Sequence, residues 1–379
     1  MKILFVTSYP LEYNTSANIR NLGLIQGFMQ NGDDVYTFSP YPTDLAYYSG
    51  KLLDFPFKGR FWLGSKSAVV ENTSKGIVAK MKSIASGVLT KISVYDRRAM
   101  MTRSINSETI NESFDVVVSS SDPKSAHKLA EKLLGVMSGP RPRWIQYWGD
   151  PFTGDISNHH KYSENRVRKE ESRMLGLADK VVYVSPFTRD EMAVKYPNVS
   201  QKLTFLPIPF MKKDSEIEGI QTDKDLVAYL GDYNSKNRNI LPFVEAVTRL
   251  KVKTIIVGTS DLTINSTETL TVKGRVYGKE VDVLAAKVGV YVCVCNLHGT
   301  QIPGKVYHYV DSGKPIMIVL DGDREEELRK YFESFNRFYL CRNHVEDIEK
   351  TLKTIMEEYH TFETPQSLCS NGIAKEFLK

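Results

Sequence analysis

Short apolar runs bounded by turn residues recur along the chain between stretches of helical periodicity: residues 3–6, 35–38, 116–118, 144–147 and 181–184. Runs this short and this largely apolar predict strands buried on both faces, as in a parallel sheet covered by helices. Between the first two, Ile19, Leu22, Leu24, Ile25 and Phe28 keep a helical period, and Gly32 stands where a helix stop is expected. Residues 1–38 therefore read as one β-loop-α-β unit. A second series starts after Leu206-Pro207-Ile208-Pro209, with strands predicted over 226–230, 254–257, 290–294 and 316–320. Helices are predicted over 240–250, 279–287 and 306–312. The two prolines fix their φ angles and lack amide donors, so they read as a stiff linker between two α/β halves. Residues 41–110 fit this alternation poorly.

At 379 residues and 41 % apolar composition, the chain is long enough for two domains that each bury an ordinary core. Lysine and arginine exceed aspartate and glutamate by 50 to 45, a surplus too small to mark a nucleic-acid-binding protein. The surplus is clustered: residues 51–103 hold eleven basic and three acidic side chains, interleaved with Phe55, Phe57, Phe61, Trp62 and Leu63. Such a stretch either rests on an anionic membrane surface or forms a solvated insertion in the first half. Cys293, Cys295, Cys341 and Cys369 have no CxxC spacing and no histidine pair, which points to free thiols in a reducing compartment and to no metal. The apolar start is halted by Thr7, Ser8 and Pro10 too early for a signal peptide, and no run approaches the roughly 20 apolar residues of a membrane span. A cytoplasmic protein is expected, soluble or peripheral at the inner face of the cell membrane.

The most informative window is 299–316. Thr300, Gln301, Ile302, Pro303 and Gly304 form a loop after an apolar strand, Lys305 stands in the first turn of a helix expected from about Pro303, and Gly313 ends it. A loop opening a helix at a strand's C-terminal edge offers amides and the positive end of a dipole to phosphate oxygens, and Lys305 adds a mobile charge. The alternative is ordinary βαβ punctuation with a solvated lysine. A second basic site follows the first strand of this half, where Gly231 precedes Lys236 and Arg238. Loops at strand C-terminal ends converge on one crevice in a doubly wound sheet, so Lys236, Arg238 and Lys305 are expected to meet on one diphosphate. Arg238 would grip it as a fork, and the cations would stabilise charge on a departing phosphate without a metal.

Taken in order, these stretches resemble the GT-B glycosyltransferases of the family-4 type, the "group 1" glycosyltransferases. In the second half the matching residues are Tyr229-Leu230-Gly231 with Lys236 and Arg238, Gly274-Arg275-Val276, and Gln301-Ile302-Pro303-Gly304-Lys305 through Tyr309 to Ser312-Gly313-Lys314-Pro315-Ile316. In the first half they are Lys2-Ile3-Leu4-Phe5-Val6 with Arg20, Asp115-Val116-Val117-Val118, and Ala178-Asp179-Lys180-Val181-Val182-Tyr183-Val184-Ser185. Together they span nearly the whole chain. The resemblance implies an α/β fold of two Rossmann-like, doubly wound domains facing across a cleft. An acceptor-binding domain would cover 1–206, with a last helix at about 365–379 packing back on it, and a nucleotide-sugar-binding domain would cover 207–364. It implies a retaining, metal-independent hexosyl transfer with no cofactor, in polysaccharide biosynthesis. The donor would be a UDP or GDP sugar and the acceptor a glycan or a lipid-linked glycan. Arg238 and Lys305 would hold the diphosphate, Gly274, Arg275 and Val276 would border the base, and the stretch from Gln301 to Gly304 would present amides to the phosphates, Pro303 excepted.

The sequence departs from that family where two glutamates usually stand eight positions apart. Thr300 takes the place near the donor sugar and His308 the place that grips the ribose. His308 either bonds a ribose hydroxyl through a ring nitrogen or packs on the inner face of its helix. On the acceptor side, Asn14-Thr15-Ser16-Ala17-Asn18 precedes Arg20 where the family often has a glycine pair. Ser119-Ser120-Ser121-Asp122-Pro123 and Tyr147-Trp148-Gly149-Asp150-Pro151 end successive strands at the edge expected to face the cleft. Asp150 is the candidate for positioning the acceptor or taking its proton, set against a turn aspartate bonded to its own loop. Asp122 is expected to cap the helix that follows it, and His127 to pack inside that helix. The neighbours His159 and His160 point in different directions and are given no role. Two other readings compete: a nucleotide-sugar 2-epimerase-like isomerase, for which 300–308 offers few acid-base groups, and a noncatalytic nucleotide-sugar- or glycan-binding subunit. No GxGxxG follows the first strand of either half, which argues against a dinucleotide dehydrogenase.

Overall fold

The computed structural model describes residues 1–13, 15–43, 52–64, 94–154, 164–210, 219–276 and 279–379. They form two units, Met1–Leu206 with Ala374–Lys379, and Pro207–Ile373. Each unit is built on one wholly parallel sheet.

In the first unit the strands are β1 (Lys2–Val6), β2 (Asp34–Pro40), β3 (Gly59–Leu63), β4 (Val116–Ser120), β5 (Arg143–Trp148), β6 (Lys180–Tyr183) and β7 (Leu203–Phe205). Their order in the sheet is β3-β2-β1-β4-β5-β6-β7, with Ile3 opposite Val35 on one side and Val116 on the other. The helices are α1 (Ser16–Gln30), α2 (Ser125–Leu134), α3 (Glu164–Leu177) and α4 (Pro186–Lys195). Thr15 caps α1 by accepting the Asn18 amide, and the chain leaves the helix through Gly32 at φ +84°, a left-handed turn that suits glycine.

The second unit has β8 (Asp223–Leu230), β9 (Thr254–Val257), β10 (Leu270–Lys273), β11 (Val288–Val294), β12 (Ile316–Leu320) and β13 (Tyr339–Arg342), ordered β10-β9-β8-β11-β12-β13. Its helices are α5 (Leu241–Leu250), α6 (Lys279–Lys287), α7 (Lys305–His308), α8 (Glu325–Glu333), α9 (Val345–Glu357) and α10 (Ser370–Leu378). Phe243, Ala246 and Val247 form the buried stripe of α5, at the i, i+3, i+4 spacing that one helix face requires. The end of α10 belongs to the first unit, where Phe377 packs edge-on to Phe28 and Tyr147. Arg143 and Lys180 donate there to the last carbonyls of the helix, 376 to 378, which have no partner within it, and to that of Lys379 just beyond.

In both sheets the strand order reverses at the middle, between β1 and β4 and between β8 and β11. At such a switch point adjacent strands send their connections to opposite faces and leave a crevice at their C-terminal ends. The loops after β4 and β8 therefore open where ligands bind in sheets of this kind.

Three expectations need correction or restriction. The helix expected from Pro303 to Gly313 is only α7, four residues long, followed by a 3₁₀ turn at Val310–Ser312 and then Gly313 at φ +68°. Here the backbone closes i to i+3 turns, Tyr307 onto Gly304 and Ser312 onto Tyr309, and buried Arg337 takes the carbonyls of Val310 and Lys314. Asp122 does not cap α2. Lys124 occupies the cap position and its side chain does not cap, Asp122 pairs with the Lys124 ammonium at 2.6 Å, and Asp96 takes the Ser125 amide. The basic stretch 51–103 lies largely outside the described residues, as do Asn14, His159 and His160; the described parts of it are β3 with its flanks and a 3₁₀ segment at Arg97–Ser104.

Candidate functional site

At the end of β8 the chain turns through Gly231, whose amide bonds the Val257 carbonyl of β9 at 2.6 Å. Gly231 has φ +155°, and the Lys305 side chain runs directly over it: a Cβ there would lie 1.2 Å from Nζ and 2.4 Å from Cε. Only glycine leaves room for this lysine. Gly258 serves the same end from β9, since a Cβ on it would meet the Gly231 carbonyl oxygen at 2.0 Å. Burial, and then the positive charges of Arg238 and Arg275, push the Lys305 ammonium down to about 8. Among the described residues no carboxylate stands within ion-pair distance of it.

Arg238 is fixed beside it. One terminal nitrogen donates to the Asp232 carbonyl at 3.1 Å and the other to Asn296 Oδ1 at 2.6 Å, while Nε is buried without a bond. Asn296 in turn donates to the Gln301 carbonyl at 3.0 Å, so a single side chain ties the arginine to the 300–304 loop. Upstream, the Asn234 side chain accepts the amides of Lys236 and Asn237, a turn that aims Arg238 inward. Like Lys305, Arg238 faces no carboxylate among the described residues.

The other residues expected at this site divide. Arg275 forms a two-point pair with Asp232, which also accepts the Thr259 amide, so its charge is neutralised within the protein. Lys236 is exposed beside Asp261 and does not join Arg238 and Lys305. Thr300 and Ile302 are buried, and the His308 ring lies under Gly304, with Nε2 at 4.0 Å from where a Gly304 Cβ would be. Gly274 is open to solvent and Val276 is half-buried. A four-residue α7 carries little macrodipole, so any affinity for phosphate here rests on the two cations rather than on a helix end. Asn296, Asp232 and Gly258 belong to no motif of the sequence; each follows the end of a strand, and that is the one signal of their place.

In the first unit, Arg20 projects from α1 to the ends of β4 and β5. Its Nη2 donates to Ser120 Oγ at 3.2 Å and to the Ser121 carbonyl, its guanidinium lies 4.7 Å over the Tyr147 ring, and it is 4 % exposed. A Cβ on Gly149 would fall 2.3 Å from Nη1 and 3.1 Å from Asp122 Oδ2, so Gly149 is what lets both groups approach the start of the loop after β5. Asp150 is partly buried in that loop. His127 is packed inside α2, stacked on Trp148 at 4.3 Å and bonded to Ser119 Oγ at 2.8 Å. Burial, then Lys124 and Arg20, hold its imidazole well below the usual range, so it is neutral. The four cysteines are free thiols, and three of them are buried. Among the described residues no cluster of three or more histidine, cysteine or acidic side chains is arranged to hold a metal, and no helix is long and apolar enough to cross a membrane.

No protein-family model matches the sequence, and no curated protein matches it. Solved structures do match, over the whole of this chain. Sucrose-phosphate synthase from Thermosynechococcus elongatus is similar at 12 % identity over 94 % of its own chain, with a TM-score of 0.55. HepE from Anabaena, in complex with UDP, is similar at 10 % identity over 94 % of its chain, with a TM-score of 0.52. A Listeria monocytogenes protein assigned as a UDP-N-acetylglucosamine 2-epimerase follows at 10 % identity over 94 % of its chain and 0.50. The chain has the GT-B fold of glycosyltransferases, two Rossmann-like parallel-sheet units in one polypeptide.

Proposed function

We propose that this protein is a glycosyltransferase whose second unit binds a nucleotide-diphosphate sugar. The observation that carries the reading is the pair Arg238 and Lys305, two adjacent cations at the switch point of the sheet with no carboxylate opposite either among the described residues. Adjacent like charges withdrawn from water are unfavourable alone and favourable against a doubly charged ligand. A diphosphate is such a ligand, and HepE was solved with UDP on the same fold.

In the reaction the Arg238 fork and the Lys305 ammonium hold the diphosphate while the bond from sugar carbon to phosphate oxygen breaks. Negative charge then develops on the departing phosphate against groups already in place, which is where fixed charges lower a barrier most. In this reading the departure is served by the two side chains without a metal. Asp150 positions the acceptor hydroxyl or takes its proton. A UDP or GDP donor, a retaining course and a glycan or lipid-linked acceptor complete the proposal. Contact of the basic stretch 51–103 with an anionic membrane belongs to it too, and fails if the protein does not float with anionic vesicles in a density gradient.

The test is calorimetric titration of UDP, GDP, ADP, CMP and their common sugar forms into the wild type and Lys305→Ala. A ligand bound by the first and lost in the second supports the site and identifies its base; binding of none refutes it. The isomerase reading shares the fold with the Listeria protein. Incubating the bound nucleotide sugar without acceptor separates the two, because inversion at one sugar carbon with the diphosphate retained marks an isomerase. Binding without turnover of any kind marks a noncatalytic subunit.

A further inference from the structure

The loop after β5 is held more firmly than its place at a sheet edge requires. Glu171, inside α3, is fully buried, and no cation pairs with it among the described residues. Four donors converge on its carboxylate instead. The Phe152 amide donates at 2.6 Å, the Thr153 amide at 3.2 Å and the Tyr196 hydroxyl at 2.6 Å, and the Thr153 hydroxyl is the fourth. Lys195 of α4 donates to the same Thr153 oxygen at 2.9 Å.

A buried charge with no counter-charge is destabilising, and α3 has a cheaper option at this position. Val167, Met174 and Leu175 already line its inner face, and an apolar residue at 171 would extend that face with no charge to compensate. At the other end of the loop Arg20, buried against Gly149, donates to Ser120 Oγ and the Ser121 carbonyl and forms no ion pair among the described residues. The 149–153 segment is thus bonded by Glu171 at its far end and packed against Arg20 at its start. That segment lies at the C-terminal edge of a parallel sheet, where loops carry function.

We propose that Glu171 is a positioning residue, which holds the 149–153 backbone in the one conformation that presents Asp150 to the acceptor. The link to an acceptor rests on the glycosyltransferase reading; the clamp itself does not. Glu171→Gln keeps the shape but turns one accepting oxygen into a donor that faces amide and hydroxyl donors.

The experiment uses the full chain and two readouts. Hydrogen exchange at the Phe152 and Thr153 amides is expected to quicken about tenfold or more in Glu171→Gln, with amides of β1 and β4 in the same unit unchanged as a check on folding. With the nucleotide sugar selected by calorimetry, Kd is expected to stay within about twofold while release of its sugar to water slows about tenfold or more. Glu171→Asp, which keeps the charge, should recover part of both effects. Unchanged exchange at the two amides overturns the clamp. Faster exchange with unchanged turnover overturns its role in the reaction, and so does a loss of donor affinity that matches the loss of turnover. If no nucleotide sugar binds, the glycosyltransferase reading and the acceptor link fall together, and the exchange rates still decide whether Glu171 holds the loop.

Discussion

Replacing Lys305 by methionine should move stability and binding in opposite directions. In the folded chain the ammonium falls from 10.5 to about 8, mainly through burial. At about 1.4 kcal/mol for each tenfold change in proton affinity, keeping it charged at pH 7 costs the unliganded protein up to about 3 kcal/mol. The sign follows from proton counts. Between pH 8 and 10.5 the unfolded lysine is protonated and the folded one is not, so the unfolded state binds more protons and stability rises with pH across that window. Below pH 8 the penalty is present in full. Methionine fills a similar volume with no charge to desolvate, so the second unit of Lys305→Met should melt about 6 to 12 °C higher at pH 7, and its stability should gain less between pH 8 and 10.5. Lys314, also pushed down to about 8 by burial, is common to both proteins and cancels in the comparison. Binding should do the reverse: loss of one charge-assisted contact to a diphosphate weakens it about 10- to 150-fold. In the wild type, affinity should fall as pH rises through 8, and binding above that pH should take up a proton, read by calorimetry in buffers of different ionisation enthalpy. Scanning calorimetry of the two proteins at pH 7 decides the first part. An unchanged or lower melting point in Lys305→Met refutes the claim that the site holds an uncompensated charge.

Three substitutions test the surrounding geometry. Gly231→Ala puts a Cβ 1.2 Å from the Lys305 nitrogen at a left-handed φ, so nucleotide affinity should drop about tenfold or more, and a titration giving Kd within about twofold of wild type would show that the lysine has another path. Arg238→Lys keeps the charge but cannot reach Asn296 and the Asp232 carbonyl together, so Kd should rise about tenfold or more; equal affinity would mean that charge alone suffices. Gly149→Ala drives a Cβ to 2.3 Å from the Arg20 guanidinium and should lower the stability of the first unit by about 1 to 3 kcal/mol in urea, leaving nucleotide binding in the second unchanged.

The strands legible in the sequence are those that the fold buries on both faces. Every apolar run named from the sequence became an inner strand, down to the limits of β9 (Thr254–Val257) and β12 (Ile316–Leu320). The four strands missed, β3, β7, β10 and β13, are the four sheet edges. An edge strand is covered on one side only, so its sequence does not need the continuous apolar run that marks an inner one. β10 reads Leu-Thr-Val-Lys and alternates between buried or half-buried and exposed positions. The α7 error has a different origin. Helical periodicity at Val306, Tyr307 and Val310 is real, and all three are buried, but the stretch closes 3₁₀ turns, Tyr307 onto Gly304 and Ser312 onto Tyr309, and the carbonyls of Val310 and Lys314 go to Arg337, 27 residues beyond Val310.

The same limit governs the site. As letters, Lys236, Arg238, Arg275 and Lys305 are equivalent cations beside glycine-bearing turns, and nothing local ranks them. The fold ranks them through partners distant in sequence. Arg275 is neutralised by Asp232, 43 residues away, and Lys236 stays in solvent. Arg238 is oriented by Asn296, 58 residues away, and Lys305 is sunk over Gly231, 74 residues before it. Charge that is already paired gains little from an anion, because the new contact must replace an old one, whereas charge held without a partner gains the whole interaction. On the proposed reading the diphosphate sits between Arg238 and Lys305, and the measurable sign of it is a protein that becomes more stable when Lys305, the cation that burial disfavours, is replaced by methionine.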